Sequence, residues 1–385
     1  MLPHTFSRRG FLQSAAATTL PLLAGGRLLG QAAQPAPALI TRSQNPDNLE
    51  FPFNSLDAAI TPNNLFYVRN HFAVPQIIGN DWRLRVVGAV NQEQTLSLAD
   101  LRALASRTVT ATLECAGNSR ALVQPPLRGV GWQLGAVSNA EWTGVPLAAV
   151  LERAGVRNTA VEVVLEGTDQ GTVAAEPGLG QIRFTRSIPI AKARQQDVLL
   201  AYSMNGAELP ANHGFPIRVV VPDWYGMASV KWLRSITVSD RPFTGFFQTL
   251  EYTVFERRAG EAQLVPITEM QVKALIAQPV AGAMLARNAA VRIHGAAWTG
   301  ESHVTRVDVS ADGGQTWQQA TLLGQRVAHA WRRWELNWRT TAQAGAVTLM
   351  ARATDDRMRQ QPMQRNNDLR NYVVSHVLPV EVQVR

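Results

Sequence analysis

A single thiol, Cys115, stands in the run Leu113-Glu114-Cys115-Ala116-Gly117-Asn118-Ser119-Arg120. The alternating residues from Val109 to Leu113 predict a strand leading up to it, and Gly117-Asn118 predicts a turn just beyond. Small residues at that turn let backbone approach a ligand closely. Arg120 adds a fixed positive charge five residues on. A cation beside a thiol favours the thiolate, the form that attacks as a nucleophile and binds soft or high-valent metals. Two chemistries are open to such a group: metal ligation, or nucleophilic attack with His71 or His213 as base. A lone cysteine also serves as a buried inert thiol or an intermolecular link. Spacing alone does not choose among these. An intrachain disulfide is excluded, because there is no second cysteine.

The elements that must carry these residues are mixed. Residues 82–88 alternate like a strand, and residues 97–104 combine a Ser97 cap with helical spacing. Residues 145–154 predict a short helix ended by Gly155. Val161 to Leu165 and Ile217 to Val221 are β-branched runs suited to buried strands. The region is α+β in character, with no G-x-G-x-x-G and no Walker A segment to bind a nucleotide. The composition changes after about Val265. Short strand-like runs then follow at 291–294, 304–310, 333–339, 347–353 and 380–384, separated by turn signals such as Asp312-Gly313-Gly314. That pattern predicts an all-β, immunoglobulin-like sandwich without the antibody-type disulfide.

A length of 385 residues favours two domains over one. The net charge of +8 includes Arg8, Arg9 and Arg27 within a 34-residue stretch that has no Asp or Glu. There, Ser7-Arg8-Arg9-Gly10-Phe11-Leu12 precedes a short apolar stretch and small residues, the pattern of a twin-arginine signal peptide. Residues 1–34 are therefore expected to be an export leader and the chain periplasmic, exported already folded. Residues 35–60, rich in Pro, Asn and Asp, are expected to be an extended arm. A basic protein favours anionic ligands or acidic partners. No Lys/Arg run is interleaved with aromatics, so nucleic acid is not an expected partner. No stretch reaches the roughly 20 apolar residues of a membrane span.

Three segments, taken together in order, resemble the sulfite oxidase family of molybdopterin enzymes. The first is Asn64-Leu65-Phe66-Tyr67-Val68-Arg69-Asn70-His71, and the second is the cysteine run around Cys115. The third comprises residues 198–206, His213-Gly214-Phe215-Pro216-Ile217-Arg218 with the strand after it, and Val230-Lys231-Trp232-Leu233. With the β-rich C-terminal region they cover most of residues 60–385. The resemblance implies a mixed α/β molybdopterin-binding domain over 61–262 and a sandwich dimerisation domain over 263–385. It implies that Cys115 ligates molybdenum, and that Asn70, His71, His213, Arg218, Ser229 and Lys231 hold the pterin and its phosphate. Arg69 and Arg120 match sulfite-binding arginines. Trp132 resembles a pocket tryptophan, with Arg128 as a nearby basic residue. Tyr252, twenty-one residues after Lys231, matches the active-site tyrosine, and Arg370 resembles a third pocket arginine.

The implied reaction is oxidation of sulfite to sulfate by oxo transfer at the molybdenum cofactor. No C-x-x-C-H is present, so no haem is expected in this chain and electrons would pass singly to an external c-type cytochrome. The expected assembly is a homodimer or a heterodimer with the cytochrome. Two relatives of different substrate remain as alternatives: a sulfane dehydrogenase-type subunit of a sulfur-oxidising complex, and a periplasmic methionine-sulfoxide reductase. A non-catalytic exported binding protein is the alternative from another class.

Overall fold

The strand expected ahead of Cys115 runs Arg107–Glu114. It lies at the edge of a sheet ordered Ala207–Glu208, Leu199–Met204, Val137–Pro146, Arg107–Glu114, with Arg218–Val220 also pairing with Leu199–Met204. A second five-stranded sheet is ordered Gln94–Leu96, Leu84–Gly88, Leu233–Ser239, Glu162–Thr172, Gln181–Pro189. Its pair Leu84–Gly88 and Leu233–Ser239 is parallel. These assignments come from a computed structural model, which describes residues 36–385; the export leader expected over 1–34 lies outside them.

Helices are few and short. Ser97 caps Leu98–Arg102 in a full capping box with Asp100, as its position ahead of apolar residues at helical spacing predicts. The helix expected over 145–154 begins only at Leu147, because Val145 and Pro146 complete the strand Val137–Pro146. Gly155 ends it at φ 68°, a conformation that glycine adopts without steric cost. Among the described residues no helix is long and apolar enough to cross a membrane.

The C-terminal region is a two-sheet sandwich. One sheet holds Lys273–Gln278, Ala290–Trp298, Arg332–Arg339 and Thr321–Leu322; the other holds Met284–Leu285, Val380–Val384, Gly345–Asp355, Val304–Ser310 and Gln318–Gln319. Lys273–Gln278 is buried on both sides. Ala274 and Ile276 join the sandwich core, while Leu275 and Ala277 join the larger core of the preceding sheets. The period-2 alternation of a strand thus welds one layer to the next. A hairpin, Thr253–Arg258 with Glu261–Pro266, lies between the two regions and straddles residue 262.

The stretch expected as an extended arm does more than link. It forms a hairpin, Ile40–Ser43 with Asn48–Glu50, and then buries Phe51, Phe53 and Leu56 in the main core. Glu50 accepts hydrogen bonds from the backbone N–H groups of Gln133 and Gly135. Asn48 Oδ1 accepts from Asn70 N at 3.0 Å and from Arg69 Nη1 at 3.2 Å. The arm therefore fixes two of the residues singled out above.

Candidate functional site

Cys115 is the first residue past its strand. Its N–H donates to Ala136 O at 2.9 Å, and Asn118 N donates back to Cys115 O at 2.9 Å. Gly117 N–H points at the sulfur, 3.4 Å away. The turn so held presents a buried but reachable thiol to a cavity. Nine of the twelve expected site residues line that cavity: Arg69, Asn70, His71, Cys115, His213, Arg218, Ser229, Lys231 and Tyr252. They come from four separate stretches of chain, brought together by the two sheets.

The cavity is short of negative charge. Arg218 donates to the carbonyls of His213 and Ser229 and lies over the Trp142 ring, 4.7 Å from its centroid. Lys231 donates to Asn70 Oδ1 and to Asn212 O. The other two lysines, Lys192 and Lys273, are paired with Glu301 and Glu114; Lys231 has no carboxylate within salt-bridge distance. Burial, and then Arg218, hold its ammonium well below the usual lysine range, with Arg69 adding to the effect. Burial brings Arg218 down to about 10. Burial, Lys231 and Arg218 push His213 down to about 3, so it stays neutral and donates Nε2–H to Asn63 O at 3.3 Å. The amide Nδ2 of Asn70 and the Oδ1 of Asp169 are buried without partners. Unpaired buried cations and amides are costly unless a ligand supplies the missing charge and acceptors.

An aromatic wall closes one side. His71 stacks on Phe184 with ring centroids 4.5 Å apart, and its Nε2 lies 2.6 Å from the Tyr252 hydroxyl. Burial, Arg69 and Lys231 hold His71 well below the usual histidine range, and burial raises Tyr252 to about 12. The two share a hydrogen bond whose direction is set by the His71 tautomer.

Three expected pocket residues stand one layer back instead. The Arg120 guanidinium lies 4.9 Å from the Tyr372 ring centroid, and Tyr372 in turn packs on Tyr252. It fills a slot between Gly117 and Gly129, where any side chain would overlap it. Its five-residue distance from Cys115 carries it around the turn and away from the cavity wall. Trp132 is buried edge-on against Tyr67, and it is Tyr67 that faces the cavity. Arg370, half-exposed, donates to Leu250 O and Thr253 Oγ1, bracing the turn that carries Tyr252. Arg128 is exposed at the surface.

Four residues escaped the sequence reading. Asp169 and Phe184 sit on paired strands with no motif around them. Burial raises Asp169 to about 6 against the pull of Lys231. Tyr67 lies inside the segment 64–71, and its ring lines the cavity. Arg186, 1% exposed, donates to Phe247 O and Ile267 O, and its Nε has no partner. Only contact across the fold identifies it.

The depressed histidines predict a pH effect with a definite sign. In the unfolded chain an imidazole protonates near pH 6.5; folded His213 does so near 3. Between those values the unfolded state holds the extra proton. Stability is thus complete above about pH 6.5 and drains away as pH falls toward 3. His71 acts in the same direction. Asp169 opposes them, since its raised value stabilises at low pH and is lost as pH rises through about 6. Metal-free protein is expected to melt at steadily lower temperature from pH 6.5 to 4, with His213→Gln flattening the slope. An unchanged slope in that variant contradicts the assignment.

Cation-rich lining around one thiol suits an anionic, metal-bearing cofactor. Among the described residues no group of three His, Cys, Asp or Glu side chains gathers to hold a metal. A molybdenum–pterin dithiolene is a group that would bring further ligands of its own to Cys115. Residues 71–247 match the oxidoreductase molybdopterin binding domain, and residues 265–384 match the Mo-co oxidoreductase dimerisation domain. The chain is 39% identical over 350 residues to sulfite oxidase from Gallus gallus, covering 85% of this chain and 73% of that one. It is 40% identical over 344 residues to the mitochondrial sulfite oxidase of Rattus norvegicus, of whose length the match covers 62%. The solved sulfane dehydrogenase SoxCD from Paracoccus pantotrophus superimposes with a TM-score of 0.76 at 29% identity, covering 89% of this chain and 86% of that chain. The chain belongs to the sulfite oxidase family of molybdopterin enzymes. The cations and the unpartnered Asn70 amide of the cavity fit that cofactor, for which Cys115 would hold the metal and Asn70, His213, Arg218, Ser229 and Lys231 would be donors for the pterin and its phosphate.

Proposed function

We propose that the protein is a sulfite dehydrogenase, oxidising sulfite and water to sulfate with release of two protons and two electrons. The observation that carries this reading is the uncompensated positive charge around Cys115. Arg69 lines the cavity, and Arg120 and Arg186 stand behind it; among the described residues none of the three forms an ion pair with a carboxylate. A neutral substrate would leave that charge unanswered, whereas an oxyanion answers it with charge-assisted hydrogen bonds. Bound molybdenum–pterin supplies oxygen-atom transfer and accepts the electrons. The chain's own residues do the rest. Arg69, anchored by Asn48, orients the anion. Tyr252 lines the cavity with its hydroxyl 2.6 Å from His71 Nε2, a hydrogen bond that fixes the hydroxyl at the cavity wall. Phe184 and Phe247 pack around His71 and keep water from it.

Two electrons must leave, and we assign their acceptor as an external c-type cytochrome in the periplasm, reached through export by the Arg8-Arg9 leader. The match of residues 265–384 to a dimerisation domain supports a homodimer built on the sandwich. A sulfane dehydrogenase is the second reading, favoured by the structural likeness to SoxCD.

Arg69→Gln separates the oxyanion reading from a neutral substrate. Losing one charge-assisted contact costs about 1.5–3 kcal/mol, so kcat/KM for sulfite is expected to fall by roughly tenfold to a few hundredfold, mostly through KM. Rates are taken per molybdenum with a cytochrome acceptor. Unchanged KM and kcat would remove Arg69 from the anion site.

A further inference from the structure

We propose that the sandwich domain is part of the metal site, with Lys273 and Trp298 as positioning residues for Cys115. The proposal rests on Cys115 being the metal ligand. Glu114, directly before it, is 1% exposed and acts as a buried hub. Its Oε1 accepts from Lys273 Nζ at 2.9 Å and from Asn118 Nδ2 at 3.1 Å; its Oε2 accepts from Trp298 Nε1 at 2.8 Å. Lys273 also donates to Ser119 Oγ at 3.1 Å. One ammonium thus holds both ends of the turn 114–119, on which Cys115 sits. Asn118 extends the hold, since its Oδ1 accepts from Ala136 N, whose carbonyl takes the Cys115 N–H.

The two anchors belong to neighbouring strands of the sandwich and are directly opposite in register. Lys273 lies on the same side of its strand as Leu275 and Ala277, the side buried against the larger core. A second contact comes from the C-terminal stretch, where Val373 N donates to Ala116 O at 2.7 Å. A carboxylate this deeply buried keeps its place only while its cation stays. If Lys273 is removed, Glu114 must seek water, and the turn carrying the sulfur must move with it. Burial of apolar surface alone would join the two domains equally well. It would not need a lysine whose donors reach both ends of the metal-binding turn.

Because Cys115 is the only cysteine, its alkylation reports on that turn without ambiguity. The test compares full-length Lys273→Met with Val307→Ala, a destabilising change in the sandwich core away from the turn. Metal-free protein is treated with iodoacetamide well below the melting temperature of either variant. Lys273→Met is expected to react about tenfold or more faster than Val307→Ala, because the turn opens locally. Molybdenum-loaded Lys273→Met should show a shifted thiolate-to-metal charge-transfer band. Its kcat per molybdenum should be lower by about tenfold with KM unchanged. Equal alkylation rates and an unshifted band would overturn the proposal. Should Lys273→Met fail to fold, Trp298→Phe removes one hydrogen bond and keeps the ion pair. A roughly twofold to fivefold rise in alkylation is then expected, and no rise overturns the proposal. The alkylation assay needs neither molybdenum nor sulfite, so a wrong substrate assignment leaves its outcome untouched.

Discussion

Replacing Cys115 by serine is expected to lower sulfite turnover by at least about a hundredfold while the fold survives. The two effects separate because the residue has two environments. Its backbone is fixed by Ala136 O and Asn118 N, which a serine retains. Its side chain is buried, but the exchange of sulfur for oxygen removes little volume, so the melting temperature should move by no more than about 4 °C. What is lost is the soft thiolate, for which an alcohol is a poor substitute as ligand to a high-valent metal. The check is kcat per protein chain alongside a thermal melt and molybdenum analysis. Near-original turnover in the folded variant would take Cys115 out of the chemistry.

Lys231→Met is expected to split stability from function in the opposite sense. An ammonium buried beside Arg218 and Arg69, with Asp169 nearby but no carboxylate within salt-bridge distance, burdens the cofactor-free fold. Methionine fills much the same space with no charge to desolvate. The metal-free variant should therefore melt at or above the temperature of the original chain, the reverse of an ordinary buried substitution. Cofactor binding should suffer heavily. Removing one member of a buried, hydrogen-bonded charge pair costs about 2–5 kcal/mol, which is roughly 30-fold to a few thousandfold in affinity. The measurements are molybdenum content after purification and melting temperature of the metal-free form. A variant that keeps full molybdenum, or melts well below the original, contradicts the idea of a cationic pocket awaiting an anion.

Much of this site was legible before the fold was known, and the reason is local. Cys115, Arg69, His71, His213, Arg218 and Lys231 lie in short segments whose residue order carries the family's pattern, and the fold brings them to one cavity. The strand before Cys115 and the helix ended by Gly155 follow from alternation and capping. Other features depend on contacts far apart in sequence. The Pro and Asn content of residues 35–60 predicts an extended arm and hides Phe51, Phe53 and Leu56, which bury it in the core. Lys273–Gln278 offers no polar-apolar alternation, since both its faces are covered. Arg120 and Trp132 were placed in the pocket by segment likeness, but which side of a turn or core a long side chain takes depends on neighbours such as Tyr372 and Tyr67. Arg186 has no motif at all; it becomes visible only once Phe247 and Ile267 are beside it.

The most direct test is molybdenum analysis of the purified chain, combined with sulfite-dependent reduction of a c-type cytochrome by the same sample. The account predicts about one molybdenum per chain, retention of a pterin, and reduction that starts on adding sulfite and scales with molybdenum content. A folded protein with Cys115 freely alkylated and no molybdenum after expression with cofactor supplied would contradict the metal assignment. A molybdenum-loaded protein inert to sulfite, yet active on a neutral sulfur compound, would contradict the substrate.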